Sequence, residues 1–217
     1  IPLILTVLFQ EDNIKNLNAI KEICSFIGKL IKIGNNHISG LIEEIVDTIL
    51  LDIFKENPDD CNIYYAYTIL LNEIMKNAPL VSFNSVIVKN GIENFTKLIG
   101  ICFKNKNQLI REVSGELTAN FTKLLLNRDN ETKTSYILLL YFNIFSQYDY
   151  NVTVNNNVPN NYLLVSGFLI FIKKIYLSYP IFFKEESYYQ NLVDKLMKCK
   201  NCGKTELNIK IEFIKFI

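Results

Sequence analysis

The sequence predicts an all-α fold in which helical hairpins stack in a line, an α-solenoid of about four full hairpins with partial units at both ends. Two observations predict it. The phrase LNEIMKNAP at 71–79 returns in register as IKKIYLSYP at 172–180, preceded by Tyr67 and Leu70 in one copy and by Phe168 and Phe171 in the other. Pro79 and Pro180 lie 101 positions apart, about two units of the ~40–50-residue helical-hairpin repeats. A third copy without the proline covers 26–34, and its Leu30 precedes Ile74 by 44 positions. The second observation is periodicity: apolar residues recur at three and four throughout, and no run alternates at period two between hairpin turns, so no sheet is expected.

The elements follow from that period. A first segment, 1–9, is the tail of an earlier helix. From Asn13 to Ile33, Leu17, Ile20, Cys24, Ile27 and Ile31 form one apolar stripe. Lys15, Asn18, Glu22, Ser25, Lys29 and Lys32 form the wet one. Gly34-Asn35-Asn36 ends it with residues that tolerate the left-handed region. Ser39 caps a second helix to about Phe54, with Glu43 and Glu44 near its positive end. Asn57-Pro58-Asp59-Asp60 breaks the chain, and a third helix runs from Cys61 to Asn77, stopped by Pro79. A fourth, about 84–103, carries the stripe Val88, Ile92, Phe95, Ile99 and Cys102. A fifth covers about 108–126 and a sixth about 134–147. The polar stretch 149–161, with Asn155-Asn156-Asn157 and Pro159-Asn160, is a loop insertion. Helices at about 162–178 and 186–198 follow, and another begins near Thr205. Short connections between helices of ~15–20 residues make neighbours antiparallel, and their stripes are buried by stacking hairpin on hairpin.

Composition narrows the function. The chain has 217 residues, 49% hydrophobic and 21% charged, with net charge +1. That suffices for a continuous core and offers no basic stripe, so nucleic-acid binding is not expected. The longest apolar stretch, about 162–172, is too short for the ~20 residues a membrane span needs. Membrane insertion is therefore not expected, nor is a signal peptide, since no basic n-region precedes a cleavage site at the start; the chain reads as a soluble fragment of a longer protein whose terminal helices are expected to expose apolar faces. The five cysteines Cys24, Cys61, Cys102, Cys199 and Cys202 are odd in number and scattered, which predicts reduced thiols. Cys24, Cys61 and Cys102 are expected on buried stripes.

Chemistry-bearing patterns are sparse. Cys199-Lys200-Asn201-Cys202-Gly203 has zinc-knuckle spacing, but tetrahedral zinc needs four ligands and no second Cys or His pair lies nearby. An interhelical turn is the expected role, and no cofactor or metal is expected. His37, the single histidine, falls in a turn without catalytic partners. The adjacent pairs Asp59-Asp60 and Glu185-Glu186 suit helix starts. Glycines never cluster into a phosphate loop, and no kinase catalytic-loop or Asp-Phe-Gly pattern occurs. The Asn-x-Thr sequons at Asn94, Asn120, Asn130 and Asn151 are not expected to be glycosylated, Asn94 and Asn120 falling in predicted helices. Most aromatic residues sit in stripes. Tyr148 and Tyr150, with Tyr188 and Tyr189, are the candidates for a partner-binding ridge.

One segment carries a resemblance. Residues 107–113, NQLIREV, followed by Leu117, resemble the start of the second helix of a HEAT repeat, with Lys104-Asn105-Lys106-Asn107 standing where the usual Asp-Pro would be. That departure weakens any place for Arg111 in an Asp–Arg ladder between repeats. IGKL at 27–30, AYTILLNEI at 66–74 with Ala78-Pro79, LIRE at 109–112, GFLI at 167–170 and LMKCKN at 196–201 follow the order and nearly the spacing of one family. Over roughly 20–217 the chain resembles the N-terminal HEAT-repeat region of the target of rapamycin (TOR) Ser/Thr protein kinases. The resemblance implies a cytoplasmic kinase, with endomembrane association through its complex, whose catalytic domain lies far downstream. This segment would then be a non-catalytic scaffold whose partners are a Raptor-type adaptor and a second kinase protomer. The alternative is a HEAT or armadillo adaptor or transport scaffold unrelated to any kinase.

Overall fold

The computed structural model describes residues 2–34, 37, 39–56, 61–78 and 94–126, with 167, 169–171, 173, 174 and 177 farther along. The described residues are 91% helical and contain no strand, which makes the described fold all-α. The helices are α1 (Pro2–Leu8), α2 (Glu11–Ile14), α3 (Leu17–Gly34), α4 (Ser39–Glu56), α5 (Cys61–Asn77), α6 (94–103) and α7 (Gln108–Leu126). Residues 167–177, where described, are helical as well. Val88 and Ile92, the expected helices at 134–147 and 186–198, the loop at 149–161 and the segment from Thr205 lie outside the described residues.

The expected helix from Asn13 is in fact two. The backbone breaks at Lys15 and Asn16, and the Asn16 side-chain oxygen accepts from the backbone N–H groups of Asn18 and Ala19 at 3.1 and 3.2 Å. An asparagine is among the strongest N-caps because its short side chain satisfies donors the helix leaves unpaired. α2 is thus a single turn, tied back to α1 by Asn13 Nδ2 donating to the Val7 carbonyl at 2.7 Å.

The chain divides into two units, Ile1–Leu98 and Ile99–Ile217, and passes from one to the other within α6. In the first unit α3 lies chiefly along α5, the second helix on from it, while α4 touches α5 less. α1 and α2 pack against α3, and the Phe9 ring meets that of Tyr67 with centroids 4.9 Å apart. α5 is the core helix: eleven of its residues are buried, from Tyr64 to Met75 with only Glu73 partly open. α3 buries a single stripe, Ile20, Cys24, Ile27, Gly28 and Ile31. Gly28 is what brings the two helices together. A Cβ there would stand 2.8 Å from both Asn77 Nδ2 and Glu73 Oε2.

In the second unit α7 presents a face of small residues: Ser114, Gly115, Thr118, Ala119 and Thr122 are all buried. A buried hydroxyl costs free energy unless it is bonded. Here Ser114, Thr118 and Thr122 donate to the carbonyls four residues back, of Ile110, Ser114 and Thr118, at 2.6, 2.7 and 2.9 Å. The face therefore behaves as apolar. Gly115 lets the helix at 167–177 approach, since a Cβ would lie 2.7 Å from Ile170 Cγ2 and 3.1 Å from the Phe171 backbone nitrogen. Gly167 likewise makes room for the buried Phe103 ring, 2.7 Å from a built Cβ.

The two proline-terminated copies can be compared where both are described. Ala66 and Gly167 are buried, as are Ile69 and Ile170, and Leu70 and Phe171. Lys76 and Leu177 are both exposed. The third copy departs: Leu30, which aligns with the buried Ile74, is 39% exposed, and Phe26, which aligns with the buried Leu70, is 59% exposed. α3 is covered on one side only, whereas α5 is covered nearly all round, so equal sequence phrases meet unequal surroundings.

A candidate docking face on α3

No titratable constellation gathers among the described residues. No group of three or more His, Cys, Asp or Glu side chains is placed to hold a metal there. His37 is exposed in the turn between α3 and α4. Asp59, Asp60, Glu185 and Glu186 lie outside the described residues, as do Cys199 and Cys202. So do all four tyrosines expected on a partner-binding ridge, Tyr148, Tyr150, Tyr188 and Tyr189.

The cysteines separate by environment. Cys24 and Cys102 are buried as expected, but Cys61 is exposed, which corrects its placement on a buried stripe. It is the first residue of α5 and precedes the buried run that starts at Tyr64. Burial and, after it, the nearby Glu73 charge push the Cys24 thiol from its ordinary 9.0 to about 12. Since the thiolate is the reactive form, Cys24 is an inert core residue. In the two sequons within described helices Thr96 and Thr122 are buried in α6 and α7, and the Thr122 hydroxyl is bonded to its own backbone.

Arg111 is explained by its own turn. Its guanidinium Nη1 donates to the carbonyls of Asn105 and Lys106 at 2.7 and 3.0 Å. The asparagines ahead of α7 complete the same turn. Asn105 Oδ1 accepts from the Asn107 N–H at 2.9 Å, and Asn107 Oδ1 accepts from the Leu109 N–H at 3.0 Å, capping α7. Glu112 then accepts from Gln108 Nε2 at 2.7 Å on the same face.

What remains is a surface. Phe26, Leu30 and Ile33 are 59%, 39% and 81% exposed. Their spacing of four and three places them on one face of α3, adjacent to the stripe that faces α5. A helix with two apolar stripes, one buried and one open, is more than its own fold requires. Lys29 and Lys32 border the open stripe and Lys21 and Glu22 lie a turn or more before it, all exposed. Sequence analysis assigns this helix one apolar stripe and reads 26–34 only as a repeat copy, so it misses this face. The signal was present: 23, 26, 30 and 33 form a second apolar series beside 20, 24, 27 and 31. Among the described residues no helix is long and apolar enough to cross a membrane. Compared with family models, curated proteins and solved structures, the chain finds no match.

Proposed function

We propose that this chain is a non-catalytic HEAT-type scaffold segment, an α-solenoid of stacked hairpins from the N-terminal arm of a TOR Ser/Thr protein kinase. Its role is to offer a fixed helical surface on which a Raptor-type adaptor docks, so that substrates are selected by a site remote from the chemistry. It acts in the cytoplasm, and the kinase domain belongs to another part of the protein. What supports the scaffold reading is that α3 packs on α5 past the intervening α4, as alternate helices of a solenoid do; α3 and α4 themselves barely meet, so the support comes from the stacking contact and not from the hairpin one. In a row of antiparallel hairpins the first helices of successive hairpins are neighbours, and each hairpin hides the next one's apolar face. The shared burial of the copies around Leu70 and Phe171 adds support, and the motif order described above is the support for the kinase family.

Two measurements test it. A globular chain of this length has a radius of gyration of about 17 Å, and a stacked solenoid exceeds that in small-angle scattering; a value at or below it sinks the solenoid. Capture of a Raptor-type adaptor by the intact N-terminal arm tests the family. Failure of capture, in a gene with no kinase domain downstream, leaves the HEAT or armadillo adaptor or transport scaffold in its place.

A further inference from the structure

We infer that the open face of α3 binds an amphipathic helix of a protein partner, with an apolar seam over Phe26, Leu30 and Ile33 and acidic residues along the edge that meets Lys29 and Lys32. The inference rests on the scaffold reading and not on the kinase assignment.

The dimensions fit one helix. From Phe26 to Ile33 is seven residues, or about 10 Å at 1.5 Å per residue. That is two turns, the length over which helix-recognition surfaces read anchors at i, i+3 or i+4, and i+7. The two most exposed anchors, Phe26 and Ile33, are large side chains whose burial is unspent within the described structure. α3 is itself held rigid through its buried stripe and the close approach at Gly28, so docking costs little ordering.

Charge selects the kind of helix. α3 carries Lys21, Lys29 and Lys32 against the single Glu22, while the whole chain is close to neutral with 23 basic and 22 acidic residues. None of the three lysines makes an ion pair among the described residues. A facing carboxylate edge gains steering and register from them. A lipid surface fits less well, because three side chains over two turns make a narrow strip. Antiparallel pairing of α3 with a second copy sets one lysine edge against the other.

The test uses the 217-residue chain. A displayed library of 18-residue helical peptides with a fixed apolar seam and freely varied edge positions is selected on it. The expected winners carry Asp or Glu on one edge. Their binding, read by fluorescence anisotropy, falls at least ~10-fold with Phe26→Ala or Ile33→Ala, and the double change Lys29→Glu, Lys32→Glu turns the preference to lysine edges. These positions are exposed, so unchanged helical circular dichroism accompanies the loss. The inference is overturned if selected peptides ignore these substitutions or show no edge preference. It is equally overturned if the face instead binds vesicles containing phosphatidylserine, or if sedimentation shows a dimer that Phe26→Ala dissolves. Loss of adaptor capture with intact peptide selection removes the kinase assignment and keeps this face; the reverse result does the opposite.

Discussion

Replacing Gly115 by alanine tests whether backbone contact sets the helix spacing in the second unit. The added Cβ would lie 2.7 Å from Ile170 Cγ2, 3.1 Å from Phe171 N and 3.3 Å from Ile170 C, all inside the 3.4 Å at which ordinary contact begins. Ile170 is buried and β-branched, so its χ1 is stiff and an off-rotamer escape costs about 0.5–1.5 kcal/mol. The other two atoms are backbone and cannot move without the helix. Relief therefore requires the two helices to part by about half an ångström, and overpacking of this kind costs about 1–3 kcal/mol. Alanine returns about 1 kcal/mol through helix propensity; with two of the three contacts in backbone the crowding falls in the upper part of that range, about 2–3 kcal/mol, which leaves a net loss of about 1–2 kcal/mol. Gly28→Ala is the contrast. Its two closest contacts are the ends of the Asn77 and Glu73 side chains, which swing aside at the loss of the weak 3.4 Å contact between them and of the 2.8 Å bond from Asn77 Nδ2 to the Glu73 carbonyl, while Glu73 Cβ stands at 3.3 Å. The propensity gain offsets most of that loss, and the change costs less than the one at Gly115, at most about 1 kcal/mol. Gly40→Ala meets nothing within 4 Å and stabilises by up to about 1 kcal/mol. Urea unfolding followed by circular dichroism ranks the three, and hydrogen exchange across 108–126 localises the Gly115 effect. If Gly115→Ala is as stable as the unsubstituted chain, or if Gly28→Ala costs more, the close approach at Ile170 does not set the spacing and the reasoning fails.

Iodoacetamide at pH 8 is expected to label Cys61 in the native chain and to leave Cys24 and Cys102 untouched until denaturant is added; prompt native labelling of Cys24 would contradict its raised pKa. The same shift has a stability sign: below pH 9 the Cys24 thiol is protonated both folded and unfolded and its contribution is intact. As pH rises from 9 towards 12 the unfolded chain ionises while the folded one does not, so stability falls. The urea midpoint should drop over that window, and Cys24→Ala should flatten the drop. Arg111→Met removes two charge-assisted bonds to the α6–α7 turn and should cost about 2–3 kcal/mol in urea unfolding, with Arg111→Lys intermediate; an unperturbed Met variant would show the clamp to be idle.

The helices themselves were legible. α5 ends at Asn77 and α7 runs from Gln108 to Leu126, both as periodicity placed them, because an amphipathic or all-apolar run of this length has few other ways to be buried. Local caps were legible only in part. Asn16 sits inside a continuous apolar period, so its power to start α3 was hidden by the helical pattern on either side. Cys61 was misplaced because the first turn of a helix follows the same period as the rest yet lies beyond the neighbour that covers it. The four tyrosines of the expected ridge, by contrast, lie outside the described residues, and the exposed apolar face was found on α3 instead.

That face shows why a repeat phrase is an incomplete guide to burial. Periodicity states which side chains share a side of a helix; it does not state how many sides have neighbours. α5 and α3 carry comparable apolar phrases, but among the described helices α5 receives α3, α4 and α2, whereas α3 receives α5 with the short α1 and α2 beside it. An inner helix can spend every apolar residue on its own fold. An outer helix spends one stripe and leaves any second stripe at the surface, where Phe26 and Ile33 remain more than half exposed. Exposed apolar residues in a line are the kind of feature that marks an interaction site. On this reading the second stripe of α3 is what an alanine scan of the helix can isolate: substitutions at Ile20, Ile27 or Ile31 should lower stability by about 2–5 kcal/mol each, while those at Phe26, Leu30 and Ile33 should leave stability within about 0.5 kcal/mol and change only association.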